Sequence, residues 1–159
     1  DVRRELAAGL AELGVPLTLI PEAHGGLGLG VFDAALVQEM LGYFVAPAPF
    51  TAGAGMAVTA LVAGGSAAQQ AEWLPLIAAG EARFAVAVSE RSGAREGAGL
   101  VAAGGVLRGK ALFALETDDA THVLAADTGG GLHVVALDGP GVTVNALPTI
   151  DRTRSTAEI

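Results

Sequence analysis

The hydrophobic period of the chain changes after Gly80, and this change constrains the fold more than any other feature of the sequence. Before Gly80, apolar residues recur every three or four positions, which is the spacing of helix faces. After it, short apolar runs alternate with turns rich in glycine or aspartate, which is typical of strands. The order of the two patterns predicts an α+β fold, with an all-α domain at 1–80 and a β domain at 81–159.

Four helices are predicted in the first half, where they form a helical bundle. Gly14 ends the first helix, and Pro47 ends the second, because the residue before a proline is pushed out of the helical region. Ser66 is a good N-cap for the fourth helix. The glycines and prolines of residues 14–30 predict an ordered loop. The predicted helices are Val2 to Leu13, Val31 to Val45, Thr51 to Ala63 and Ala67 to Ala79.

About six short strands are predicted in the second half, and they are expected to pair antiparallel in a sandwich or small barrel. Turn signals separate them, among them the DGPG sequence of Asp138 to Gly141. The predicted strands are Phe84 to Ser89, Leu100 to Ala103, Val106 to Glu116, Thr121 to Ala126, Leu132 to Leu137 and Val142 to Leu147.

Composition argues against several classes of function. The formal net charge is −8, and no cluster of Lys and Arg offers a surface for nucleic-acid phosphates. The chain has no cysteine, and its three histidines lack ligand spacing, so no metal site is expected. Pro47 and Pro49 interrupt the charge-free segment 40–71, which argues against a membrane span. Charges near the N-terminus argue against an export signal, so a cytoplasmic protein is expected.

The polar segment from Ser89 to Gly99 is a candidate binding loop. Its glycine amides, together with Arg91, Ser92 and Arg95, suit an anionic ligand such as a pyrophosphate. A mobile, solvated hairpin loop explains the same residues equally well. The residues alone leave both interpretations open.

Other polar groups have plainer interpretations. Asp151 to Arg154 carries two guanidinium groups, for which a surface ion pair is favoured. Glu116, Asp118 and Asp119 are close enough in sequence to hold a hard cation, but they lack EF-hand spacing, and an exposed turn is the better interpretation. The glycines between 25 and 30 do not fit a dinucleotide fingerprint and are expected to form backbone turns.

Four stretches, in this order along the chain, resemble the acyl-CoA dehydrogenase family. They are LGVPLTLIPEAHGGLGLG, WLPLIAAGEARFAVAVSE, GVLRGKALFALETDDATHVLAA and PGVTVNALPTIDRTRSTAEI. The resemblance covers nearly the whole sequence and implies an N-terminal helical domain followed by a middle β domain. In this family a C-terminal four-helix domain follows, and FAD lies between the last two domains. The resemblance implies that the chain stops inside the last strand of the β domain.

The resemblance assigns cofactor residues to the first strand of the second half. Val86, Val88 and Ser89 match the family strand whose backbone and hydroxyl bind the pyrimidine edge of the flavin, with Ser89 in place of threonine. The family's Gly-Ser-Asp becomes Ala94-Arg95-Glu96. Arg95 is expected to contact a phosphate of the cofactor or substrate. Ser89 and Arg95 are also the expected substrate-binding residues.

A second set of cofactor residues follows from the same resemblance. Phe113, Ala114 and Leu115 match the family's Trp-Ile-Thr/Ser, which flanks the flavin. Phe113 keeps an aromatic ring, but Leu115 has no hydroxyl to place near the flavin. The base in this family is a glutamate in the C-terminal helices, so no catalytic residue is expected within this chain.

The implied function is part of an FAD-dependent acyl-CoA dehydrogenase, which removes the α proton and β hydride of an acyl-CoA thioester. The expected partners are the acyl-CoA substrate, an electron-transfer flavoprotein as acceptor, and further subunits of a homo- or hetero-oligomer. The alternative is a non-catalytic subunit of a heteromeric acyl-CoA dehydrogenase, or a degenerate acyl-CoA-binding scaffold. The 159-residue chain alone is expected to be inactive.

Overall fold

The computed structural model describes residues 2–93 and 95–159, and these residues form two units. The first comprises Asp1–Arg83 together with Asp151–Arg154, and the second comprises Phe84–Ile150 and Ser155–Ile159. The first is helical and the second is built of strands, which confirms the predicted α+β class. The domain boundary after residue 80 stays a prediction. That prediction did not place Asp151–Arg154 in the helical unit.

The helical unit contains four α-helices in the predicted order. The glycine-rich segment between the first two helices is a loop, as predicted, and it contains two 3₁₀ turns, Val15–Leu17 and Glu22–His24. The backbone of Gly26 packs directly against the backbone of Ile20, and a Cβ at this position would clash with the Ile20 carbonyl oxygen. The helices are α1 (Val2–Glu12), α2 (Val31–Tyr43), α3 (Val58–Gly64) and α4 (Ala67–Ala78).

Side chains cap two of these helices. The Asp33 carboxylate accepts a 2.9 Å hydrogen bond from the Gly30 amide at the start of α2. At the start of α4 the Ser66 hydroxyl accepts from the Gln69 amide, and the Gln69 side chain accepts from the Ser66 amide at 2.9 Å. This reciprocal capping box satisfies amides that a helix leaves without partners in its first turn.

The third predicted helix differs in its first half. Thr51–Ala57 forms a π-helix that continues into α3, where a single α-helix was expected. Ala52 and Ala54 are buried in it, and Ala54 packs with Phe50 and Ala34 of α2 in the core of the helical unit. The small side chains of this stretch allow that close approach between helices.

The described residues of the β unit form eight strands in two sheets. The larger sheet has the order β6-β5-β1-β4-β8-β7, and β2 and β3 form a separate hairpin. A short helix, α5 (Ser89–Ser92), follows β1. The strands are β1 (Phe84–Ala87), β2 (Gly99–Ala103), β3 (Val106–Lys110), β4 (Ala114–Leu115), β5 (His122–Ala126), β6 (Leu132–Ala136), β7 (Asn145–Leu147) and β8 (Thr156–Glu158).

Most strand pairs are antiparallel, as predicted, but β1 and β5 pair parallel with Phe84 opposite His122. The larger sheet is therefore mixed. Among the described residues the two sheets form no closed barrel, and they share one core. Ala85, Ala87 and Val123 of the larger sheet pack with Leu100 and Leu107 of the hairpin, so the sandwich alternative fits.

Two predicted strands are shorter than expected. The strand predicted from Phe84 to Ser89 ends at Ala87, and the one predicted from Val106 to Glu116 is broken between Lys110 and Ala114. At the second break, the side chains of Ser89 and Glu90 bind both backbone groups of Leu112, which a ladder would otherwise use. The three-residue strand β8 has no clear alternating pattern of its own, and the residues alone did not predict it.

No helix in the described part of the chain is long and apolar enough to cross a bilayer. Within residues 2–93 and 95–159, no three His, Cys, Asp or Glu side chains converge as metal ligands would.

Replacing Ser66 with alanine is expected to lower the free energy of unfolding of the helical unit by about 1 kcal/mol, because the Gln69 amide loses its acceptor. Trp73 lies in the same helix, so urea unfolding followed by tryptophan fluorescence reports the change. Ser66→Asn, which retains a capping oxygen, is the matched control. An equal loss in both variants would contradict the capping role.

Candidate functional site

The two groups of predicted flavin residues lie on two neighbouring strands, β1 and β4, and on the residues directly next to them. Val86 of β1 is paired with Leu115 of β4, although 23 residues or more separate the two segments in sequence. Val86 and Ala114 are buried, whereas Leu115 is half-buried. The structure thus brings the two predicted groups together at one edge of β1.

Two hydrogen bonds fix the turn after β1 to the segment before β4. The Ser89 hydroxyl donates to the Leu112 carbonyl oxygen at 2.6 Å. The Leu112 amide donates to Glu90 Oε1 at 2.7 Å. Together these bonds satisfy both backbone groups of Leu112, so this clamp, consisting of Ser89, Glu90 and Leu112, holds the two segments in register.

The clamp explains why the chain turns at Ser89. Val88 has φ −128° and ψ 6°, and its carbonyl accepts from the Arg91 amide, which closes the first turn of α5. Because the Ser89 hydroxyl gives its proton to Leu112, it can meet a ligand there only as an acceptor. Sequence reasoning missed Glu90 and Leu112, whose roles depend on a contact between distant segments.

Both residues that flank β4 have left-handed backbone conformations. Phe113 has φ +55° and Glu116 has φ +58°. A residue other than glycine pays roughly 1–3 kcal/mol for such a conformation, and such positions cluster at functional sites. The strain interrupts the long strand predicted from Val106 to Glu116 and turns the Phe113 side chain outward, where it is 43% exposed.

Arg95 lies over the aromatic ring of Phe113. Its guanidinium carbon is 4.8 Å from the ring centroid, which is a cation–π contact. The structure therefore brings Arg95 to the Phe113 side of the predicted site. Ala94, which the family pattern places in the same loop, lies outside the described residues. The side chain of Ser92, part of the predicted anion loop, is likewise outside them.

The acidic turn after β4 differs from its predicted exposed state at its first residue. Glu116 is buried, as is Thr117, whereas Asp118 and Asp119 are exposed. The Glu116 amide donates to the Ser155 carbonyl at 2.9 Å, and the Asp118 amide donates to the Ser155 hydroxyl at 3.2 Å. These bonds attach the turn to the residue that precedes β8.

The other side of the Ser89–Gly99 segment meets the β5–β6 turn. Arg91 donates to the Thr128 carbonyl at 3.5 Å. Asp127 organises this turn, accepting from the Gly131 amide at 2.8 Å and contacting His133 Nε2 at 2.8 Å. The hydrogen bond from His133, and then that from Gly131, hold the pKa of the Asp127 carboxyl below its ordinary value of 3.8.

The site has groups of the kinds that could hold a planar ligand. It has a hydroxyl acceptor at Ser89, a partly exposed aromatic ring at Phe113 and a cation at Arg95. Leu115 adds only hydrocarbon, where a hydroxyl could have bonded a ring nitrogen.

Residues 1–81 match the family model "Acyl-CoA dehydrogenase, N-terminal domain". The acyl-CoA dehydrogenase FadE27 of Mycobacterium tuberculosis is 32% identical over 154 residues, which is 92% of this chain and 40% of the relative. The (2S)-methylsuccinyl-CoA dehydrogenase of Cereibacter sphaeroides is 36% identical over 78 residues, 48% of this chain and 14% of that protein. This chain thus spans less than half the length of the curated relatives it matches.

A solved structure resembles the whole chain. The ChsE4-ChsE5 complex of Mycobacterium tuberculosis matches 98% of this chain and 43% of its own, with a TM-score of 0.82 and 28% identity. An acyl-CoA dehydrogenase complexed with FAD from Bacillus anthracis matches 97% of this chain and 29% of its own, with a TM-score of 0.65 and 25% identity.

Replacing Glu90 with alanine is expected to speed hydrogen exchange at the Leu112 amide and to destabilise the β unit by about 1–3 kcal/mol, because a half-buried donor loses a charged acceptor. Amide exchange measured by NMR reports both effects. Glu90→Gln retains an acceptor at the same position and is expected to exchange more slowly than Glu90→Ala. Unchanged exchange at Leu112 in Glu90→Ala would contradict the clamp.

Replacing His133 with alanine is expected to raise the pKa of Asp127 towards 3.8, because the hydrogen bond that lowers it most is lost. Since the folded pKa lies below the unfolded one, the stabilisation from Asp127 is present above pH 3.8 and is lost as pH falls through the folded value. Titration of the carboxyl carbon by NMR measures the shift, with His24→Ala as the control. An Asp127 pKa that stays low in His133→Ala would refute the assignment.

Proposed function

The chain belongs to the acyl-CoA dehydrogenase family, and we propose that it contributes cofactor-positioning residues to an FAD-dependent acyl-CoA dehydrogenase. The proposed reaction is the α,β-dehydrogenation of an acyl-CoA thioester. The observation that carries the proposal is the clamp, which joins Ser89 to the segment before β4. It brings together two segments, far apart in sequence, that the family resemblance assigns to the flavin.

The residues at this edge of β1 fit a flavin in part. A half-buried hydroxyl at Ser89 suits a donor on the pyrimidine edge, since this hydroxyl already donates to Leu112. The partly exposed ring of Phe113 suits contact with a planar ring system. At Leu115 the fit is poorer, because its side chain forms no hydrogen bond.

Each side chain has a limited role in the proposed mechanism. Val88 presents backbone to the cofactor, Ser89 orients its pyrimidine edge, and Phe113 packs against it. Val86 and Ala114 are buried and hold the two segments beside the cofactor in place. When bound, FAD would accept the hydride that leaves the β carbon of the thioester. Removal of the α proton is assigned to a glutamate in the family's C-terminal helices, a part of the family fold that this chain does not match.

Arg95 extends this site toward phosphate groups in the proposal. Its guanidinium carbon lies 4.8 Å from the centroid of the Phe113 ring, and the guanidinium carries five N–H donors in a planar fork. Such a fork binds phosphate oxygens with charge-assisted hydrogen bonds. We assign Arg95 to a phosphate of the cofactor or of the acyl-CoA.

A non-catalytic subunit of a heteromeric acyl-CoA dehydrogenase is the second candidate. Leu115 favours it, because the residue supplies no hydroxyl at a position that matches the flavin-flanking Trp-Ile-Thr/Ser of the family. The match to the ChsE4-ChsE5 complex is compatible with it as well. In both candidates the partners include other subunits and an acyl-CoA. The first candidate function also includes an electron-transfer flavoprotein as electron acceptor and a cytoplasmic location.

Replacing Leu115 with threonine is expected to tighten flavin binding by up to about tenfold, because a new hydrogen bond contributes about 0.5–1.5 kcal/mol. FAD fluorescence quenching measures the affinity. Leu115→Val, which has the same shape as threonine but no hydroxyl, is the control. Ser89→Ala is expected to weaken binding.

The titration is made on the 159-residue chain and on a longer parent protein that includes the C-terminal helices. Binding by the longer protein alone supports a site shared with those helices. Binding by neither protein favours the non-catalytic subunit. Dehydrogenase turnover by the 159-residue chain alone would contradict the assignment of the base to another part of the protein.

A further inference from the structure

The helical unit contains a cleft of about 270 Å³ that the proposed function does not use. The C-terminal end of α2 forms one wall, through Gln38, Leu41 and Gly42, and the start of the π-helix adds Thr51. Asp151–Arg154, which belongs to this unit, closes the other side. The volume lies just below the range of small-molecule sites, so it suits a small ligand or one end of a larger one.

The backbone around the cleft is strained in two ways. Val45, which lines it, has φ +51°, a genuine outlier for a β-branched residue. Thr51 begins a π-helix, a conformation that occurs frequently at functional sites. The side chain of Val45 is 67% exposed, so burial of this side chain does not offset the cost of its left-handed backbone conformation. The strain is therefore located at the cleft.

Hydrogen bonds hold the polar groups of the cleft in place. The Thr51 hydroxyl donates to Gln38 Oε1 at 2.9 Å, which fixes the side-chain amide of Gln38. Asp151 Oδ1 accepts from the amide of Thr153 at 2.9 Å and from its hydroxyl at 2.6 Å. Arg3 donates to the Arg152 carbonyl at 3.1 Å, which holds the same segment from outside. The cleft is thus preorganised.

The charges on its lining cancel. Arg154 is the cation and Asp151 the carboxylate, and both are exposed. The Thr153 hydroxyl, then the Thr153 amide and the charge of Arg154, hold the pKa of Asp151 below its ordinary value, so it is ionised at neutral pH. A charged ligand gains little from such a pair, whereas an uncharged oxygen can accept from Gln38 or Arg154. Leu41, Val45 and Ala48 supply the apolar surface.

We propose that this cleft binds the oxygen-bearing end of a small, uncharged and mainly apolar molecule. The side-chain amide of Gln38 and the guanidinium of Arg154 donate to a carbonyl or hydroxyl oxygen, and Leu41 and Val45 contact the hydrocarbon. The site is independent of flavin and of the clamp at β1, so its failure leaves the proposed function untouched.

The test is an NMR titration of the isotope-labelled 159-residue chain with 2-hexanone and, separately, with hexanoate. We expect 2-hexanone to shift the amide signals of Gln38, Gly42 and Thr51 in a saturable way, and hexanoate to bind more weakly. The absence of saturable shifts at these residues, or tighter binding of hexanoate, would overturn the proposal.

Glycine positions provide matched variants. Gly42 lines the cleft, and a Cβ there meets no atom within 4 Å, so Gly42→Leu adds a side chain at the cleft wall without a clash and is expected to weaken 2-hexanone binding at least about tenfold. Gly9→Leu in α1, equally open, is the control and should bind normally. Arg154→Met, which keeps an unbranched side chain but removes the N–H donors, should weaken binding severalfold. Unchanged affinity in Gly42→Leu would overturn the cleft as the site, and unchanged affinity in Arg154→Met would overturn the role of Arg154 as a donor.

Discussion

The β unit depends on the burial and double pairing of β1. All four of its side chains are buried, and it is paired with β4 on one side and β5 on the other. Neither partner strand is adjacent to β1 in sequence. The strand β1 is therefore paired only after distant segments of the chain have come into contact with it. The clamp at Leu112 then sets where β4 lies. Val86, Ser89 and Leu115, which the family resemblance assigns to the flavin, lie in the segments that this pairing and the clamp hold together.

The sequence predicted element types well, because helical spacing and turn residues are local signals. Ser66, for instance, caps α4 as its position before an apolar repeat indicated. The misses share a physical cause. The parallel β1–β5 pair, the break at Phe113 and the burial of Glu116 all depend on contacts between segments far apart in sequence. Periodicity carries no information about such contacts.

The candidate site shows the same division. The family pattern pointed to Val86, Ser89 and Phe113, and the structure brings these segments together. It gave no sign of Glu90, whose carboxylate meets the Leu112 amide, because the pattern of a single segment does not reveal its partner. The cleft in the helical unit was missed for the same reason. The DRTR motif suggested a surface ion pair, and its place beside α2 depends on the tertiary fold.

The helical unit is discontinuous in sequence, and this has a consequence for how it folds. Arg3 bonds to the carbonyl oxygen of Arg152, 149 residues away in sequence. Closing so long a loop is entropically costly, although the cost rises only slowly with length. The bundle of α1 to α4 therefore lacks one wall of the cleft until residues 151–154 have left the ribosome. In a nascent chain that ends before Asp151, the cleft is open on one side.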